Sequence, residues 1–298
     1  MPGTALTEAP VANARTARRS FVLLPHEIIF GLFLLVTWLR LAVKLGVANS
    51  HSLIFLGCLL GAGAMVCWTR RSQTQLRWRV RLLYYPVAMG ISFFAMESAI
   101  PALGRPPVDE MLQRWDRTLL GETPAMIYQQ WSQPWLNDVL MLGYLFFFVH
   151  LIAVPAAYCV RDLGKFRQLI VGLFTAYGLG FLSYTLFPAG GPHRCMAFAS
   201  PLEGLAIVPW TLAPVNAGSN CVDVFPSLHF AVSLYLLVFD WWHCRRRFWL
   251  LTVPCAILWL STVLLRFHYF VDLLGGLVVA VVSLAITQWY GREERHLN

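Results

Sequence analysis

Long apolar runs separated by short polar stretches make up the chain from residue 22 onward. A membrane-crossing helix needs about 20 mostly apolar residues. Eight runs meet or approach that length: 22–46, 52–69, 82–103, 137–160, 168–187, 225–241, 248–266 and 268–289. The second and sixth are short. Helix is the expected form, because these runs are too long for barrel strands and backbone groups in hydrocarbon must bond within their own segment. The pattern predicts an all-α integral membrane protein with about eight transmembrane helices. Residues 1–20 are polar and Ala/Arg-rich and predict a flexible tail, with a second tail at 291–298. The first apolar run lacks a clear cleavage site, so no secretory signal is expected.

Composition agrees with the pattern. The chain is 58% hydrophobic and 13% charged, against about 45–50% and about 25% in soluble domains. The net charge of +8 does not gather on one face, so nucleic acid is not an expected partner. Sixteen Lys and Arg residues fall in the two tails and in loops 69–81, 161–167 and 243–248. The opposite loops, 47–51, 104–136 and 188–224, hold only Arg105, Arg114, Arg117 and Arg194. The positive-inside rule then puts both termini in the cytoplasm. The expected location is the inner or plasma membrane if the chain is bacterial.

That orientation sends every unusual polar segment to the extracytoplasmic side: "WDRTLLGETP" (115–124), "FPAGGPHR" (187–194), "FPSLHF" (225–230) and "RFHYFVD" (266–272). A polar side chain at membrane depth is costly unless it is paired or has a task. His268 and Asp272 share a helix face at i,i+4. A carboxylate bonded to Nδ1–H leaves Nε2 with its lone pair free, which makes an oriented nucleophile. Arg266 suits phosphate oxygens. A structural ion pair at a helix mouth is the other reading of the trio. His229 stands at a predicted helix start with Pro226 and Ser227, where it acts as a general acid or simply snorkels. Gly190 and Gly191 permit close backbone approach to a ligand, and His193 and Arg194 follow them. Asp116 and Arg117 lie on an amphipathic stretch whose Trp115, Leu119 and Leu120 suit lipid. Asp116, Arg117, His193, Gly190 and Gly191 are candidate substrate contacts. Cys195 and Cys221 are the two outer cysteines and a candidate disulfide; two free thiols are the alternative. No metal-ligand spacing, CxxC pair or phosphate-binding loop for nucleotides is present, so no metal or other cofactor is expected.

"FPSLHF" followed by "RFHYFVDLLGG" resembles the second and third signature motifs of the type-2 phosphatidic acid phosphatase superfamily. The resemblance covers roughly residues 80–290. It implies a six-helix catalytic core at 81–290, with two additional transmembrane helices at 21–80. It implies His268 as nucleophile through a phosphohistidine, Asp272 as its orienting base and His229 as acid. Ser227, Arg266 and Arg194 would bind phosphate oxygens. Leu228 stands where the second motif has glycine, and Thr262 stands where the third has arginine. The Lys-x6-Arg-Pro of the first motif is absent, with Pro192, His193 and Arg194 a loose substitute. These departures look more like the inositol-phosphorylceramide-synthase branch. The resemblance thus implies transfer of a phospho-headgroup from a lipid phosphoester to a lipid or small alcohol. A lipid phosphate phosphatase, with water as acceptor, is the alternative. A non-catalytic lipid-binding or transport protein is the competitor from another class.

Overall fold

Helix ends follow local chemistry. The side chains of Asn49, Thr74, Asp162 and Ser227 each accept a backbone N–H just inside the helix that they precede, satisfying donors that have no intrahelical partner. Proline opens three others at Pro25, Pro124 and Pro134, where its missing N–H costs nothing. The computed structural model describes residues 23–297; the expected tail at 1–20 lies outside them. The described residues form α1 (Pro25–Leu45), α2 (Ser50–Arg71), α3 (Gln75–Ala102), α4 (Asp109–Leu120), α5 (Pro124–Tyr128) and α6 (Pro134–Arg161). They continue as α7 (Leu163–Leu186), α8 (Pro192–Cys195), α9 (Ile207–Gly218), α10 (Leu228–His243), α11 (Arg245–Leu264) and α12 (Phe270–Leu297), with no strand among them. Residues 291–297, expected as a tail, prolong α12. "GREERHL" has no proline and mostly good helix formers.

Seven helices, α1, α2, α3, α6, α7, α11 and α12, are long and apolar enough to cross a membrane. The expected sixth span is α10, whose 16 residues reach about 24 Å at 1.5 Å per residue. Tight connections at 46–49, 72–74, 162 and 244 make sequence neighbours antiparallel. The starts of α2, α6, α10 and α12 therefore share one end of the bundle with the ends of α1, α3, α7 and α11.

α7 is the central helix, packed against α1, α3, α6, α10 and α12. Its glycines allow this. A Cβ on Gly178 would sit 2.9–3.0 Å from backbone atoms of Phe30 on α1, and one on Gly172 would strike the ring of Tyr235 on α10. Small residues at such crossings let helix backbones approach where no hydrophobic drive operates between them. The peripheral helices present Val43, Ile152, Val160 and Leu250 outward, as a lipid-facing surface requires. α1 and α3 are also joined by a buried pair, in which Arg81 donates to both oxygens of Glu27 at 2.7 and 2.5 Å.

Candidate active site

Three aspartates frame the site end of the bundle, and each accepts backbone N–H groups from a segment distant in sequence. Asp109 opens α4 and accepts from Gly190 (3.0 Å), Gly191 (2.8 Å) and the Tyr269 hydroxyl (3.1 Å). Asp116, two turns further along the same face of α4, accepts from Phe270 and Val271, both at 3.0 Å. Asp138 on α6 accepts from Leu205, Ala206, Ile207 and Val208 at 2.7–3.0 Å. The first anchors the "FPAGG" turn, the second caps α12, and the third caps α9. A carboxylate at a helix N-terminus gains from both the free N–H groups and the helix dipole.

This frame holds the relay. His268 lies in the turn between α11 and α12 and is almost fully buried. Its own N–H donates to Thr262 O at 2.8 Å. Asp272, in the first turn of α12, accepts from Tyr269 N–H at 2.7 Å and from His268 Nδ1–H at 3.3 Å, both through Oδ2. An acceptor at Nδ1 leaves the lone pair on Nε2. His229, second residue of α10, directs Nδ1–H at that lone pair across 3.2 Å. Its imidazole is wedged between Tyr144 and Phe147 of α6, at ring-centroid distances of 4.9 and 4.5 Å. Burial holds His268 down at about 4, opposed by the charge of Asp223, so its imidazole is neutral at physiological pH.

The two histidines open onto a cavity of about 530 Å³ that runs back between α3, α6 and α7. Its walls are apolar and aromatic, with Phe93, Phe148, Tyr177 and Phe181 among them, and His193 and Asp223 join the histidines at the polar end. Burial and the neighbouring Arg194 push His193 down to about 4. Arg194 lies exposed at the rim, donating to Asn216 O at 3.1 Å and to His193 Nε2 at 3.2 Å.

The structure brings His268, Asp272, His229 and His193 together, with Arg194 beside them. It assigns the other expected contacts elsewhere. Arg266, whose φ is +72°, directs its guanidinium to Ser200 O (2.9 Å) and over the Phe198 ring (4.0 Å), clamping the 196–206 loop. Ser227 is buried and caps α10 through Phe230 N–H at 3.3 Å. Gly190 and Gly191 give their N–H groups to Asp109. Asp116 is wholly buried as a cap, and Arg117 faces solvent in an ion pair with Glu122 at 3.3 Å. Cys195 and Cys221 are free thiols: the first lies against Asp109, while the second turns its sulfur toward Ser219 O. The sequence reading missed Asp109, Asp138 and Asp223. Nothing local marks the first two, whereas Asp223 stands two residues before "FPSLHF" and six before His229.

With this geometry in hand, comparison with known proteins is specific. The family described as the PAP2 superfamily matches residues 110–286, more than half of the chain, and the chain belongs to that superfamily. It is an all-α integral membrane protein. A PA-phosphatase related-family protein of Dictyostelium discoideum is 24% identical over 132 residues, covering 42% of this chain and 24% of that protein. The match thus spans about a quarter of the relative's length. No solved structure matches the chain.

Proposed function

We propose that the protein is a membrane enzyme that transfers a phospho-headgroup from a lipid phosphoester through a phosphohistidine on His268. The observation that carries this reading is the hydrogen-bonded chain His229–His268–Asp272 at the polar end of an apolar cavity. Superfamily membership supports a lipid phosphatase or phosphotransferase chemistry. The lipid tail occupies the aromatic cavity and the phosphorus comes between the two histidines. His268 Nε2 attacks phosphorus, and the P–O bond to the glycerol oxygen breaks with its electron pair. That oxygen takes the Nδ1 proton of His229, a general-acid step worth roughly 10²–10⁴ in rate. Asp272 holds the Nδ1–H of His268 and offsets its developing positive charge. An acceptor hydroxyl then returns a proton to His229 as its oxygen displaces Nε2 from phosphorus.

An alcohol as acceptor makes the protein a headgroup transferase, as in the inositol-phosphorylceramide-synthase branch; water makes it a phosphatase. We favour the transferase on the motif departures at Leu228 and Thr262. On this reading residues 81–290 are the catalytic core, residues 21–80 an addition, and the site faces away from the cytoplasm, where both termini lie. Purified protein given a phospholipid with a labelled headgroup, with and without a long-chain alcohol, tests the reading. A labelled lipid product absent from His268→Ala supports it. Equal turnover in the two proteins overturns it.

A further inference from the structure

Asp223 is the acid at the cavity's polar end, and the proposed mechanism gives it no part. It lines the polar end of the cavity together with His193, His229 and His268. An acid there is unexpected. A site for a phosphate should gather positive charge, and a carboxylate facing the same space repels a phosphomonoester dianion more strongly than a phosphodiester monoanion.

The position of Asp223 is built, not incidental. The segment before it is tied down at three points. Asn220 donates through Nδ2 to Phe93 O on α3 at 3.0 Å, and its Oδ1 accepts from Val222 N–H at 3.3 Å. Cys221 takes a left-handed conformation, φ +63°, that turns the chain inward. Ser219 donates through Oγ to Asp223 Oδ1 at 3.1 Å. Asp223 forms no ion pair with Lys or Arg among the described residues. A half-buried acid in the cavity wall, with Ser219 as its side-chain donor and no Lys or Arg within ion-pair distance, is placed to receive hydrogen-bond donors from what binds there.

We propose that Asp223 is a specificity-determining residue that receives the hydrogen-bond donors of a phosphodiester headgroup, the ammonium of an amino-alcohol or the hydroxyls of a polyol. The inference rests on the proposed function and narrows its donor. The lipid is a diester whose headgroup carries N–H or O–H groups beside the phosphate. A bare phosphomonoester such as phosphatidic acid is the disfavoured substrate.

The test uses the full-length protein in lipid nanodiscs and three probes: phosphatidylethanolamine, phosphatidylinositol and phosphatidic acid. For each, kcat/KM is measured in the wild type, Asp223→Asn, Asp223→Ala and Asp223→Glu. The inference predicts that Asp223→Ala lowers the diester-to-monoester ratio of kcat/KM at least tenfold. Asp223→Glu, which keeps the carboxylate, restores much of that ratio. Asp223→Asn separates the two sources: a loss confined to phosphatidylethanolamine identifies the ammonium, and a smaller loss on phosphatidylinositol identifies hydroxyls. A ratio within twofold of wild type in Asp223→Ala overturns the inference, whether absolute rates hold or fall, because a merely structural role lowers all substrates together. His268→Ala is the separate control. Activity surviving that change sinks the mechanism itself, whereas an unchanged ratio with a dead His268→Ala sinks only the role of Asp223.

Discussion

Replacing Asp116 by Ala strips α12 of its cap without touching the cavity. The wild-type carboxylate is fully buried and accepts two N–H bonds at 3.0 Å, from Phe270 and Val271. Hydrogen bonds to charged groups are worth about 1.5–3 kcal/mol each, and loss of a helix cap costs about 0.5–2 kcal/mol, so Asp116→Ala should cost ~2–4 kcal/mol. For a chain of this size, with an unfolding entropy of about 2.1 cal/mol/K per residue, that is a fall in Tm of ~3–6 °C. The same first turn carries Asp272 and follows His268, so a displaced turn misaligns the relay. A misplacement near 1 Å costs roughly 10²-fold in rate, read in kcat and not in KM. Asp116→Asn keeps one acceptor oxygen and should fall between the two. The assay pairs thermal unfolding in detergent micelles with steady-state kinetics on a phospholipid. An unchanged Tm with a raised KM would refute the reasoning and make Asp116 a substrate contact after all.

Other perturbations follow from the same geometry. Arg81→Leu leaves Glu27 buried and unpaired, which costs about 3–5 kcal/mol; Glu27→Gln with Arg81→Leu should recover most of the lost Tm, and a double variant no better than the single contradicts the pairing. Gly90 lines the cavity and a Cβ there meets nothing within 4 Å, so Gly90→Leu should fill the lipid space, lowering kcat/KM at least tenfold with Tm held within a few degrees. For pH, His268 is held at about 4 against about 6.5 in the unfolded chain. It keeps its lone pair until the pH falls through about 4, so the acid limb of kcat/KM should lie there and not near 6.5. Between those two values the unfolded chain binds the extra proton, so stability should rise with pH across that window; a rate profile breaking at 6.5 would show that His268 is not the group.

The spans were legible because hydrophobic runs of membrane length have one cheap solution. The His268–Asp272 pair was expected on one helix face, but His268 lies in the turn before α12 and meets Asp272 from there. Arg266 misled for a local reason. Its guanidinium fits a phosphate as readily as a carbonyl, and the left-handed turn that sends it to Ser200 is invisible in "LLRFHY". Asp109, Asp116 and Asp138 were opaque for a different reason. Each acts on backbone N–H groups 67 to 155 residues away, and capping across such distances leaves no period or spacing in the sequence. Polar residues beside a site therefore read as substrate contacts when their work is to hold the turns that carry the chemistry.

The most direct test of the account is to look for the covalent intermediate. The enzyme would be mixed with phospholipid labelled in the phosphate, quenched in base within milliseconds, digested and mapped by mass spectrometry. A base-stable, acid-labile phosphoramidate on Nε2 of His268 that carries the headgroup, absent in His268→Ala, is the expected result. Turnover with no label on His268, or an adduct on another residue, would contradict it.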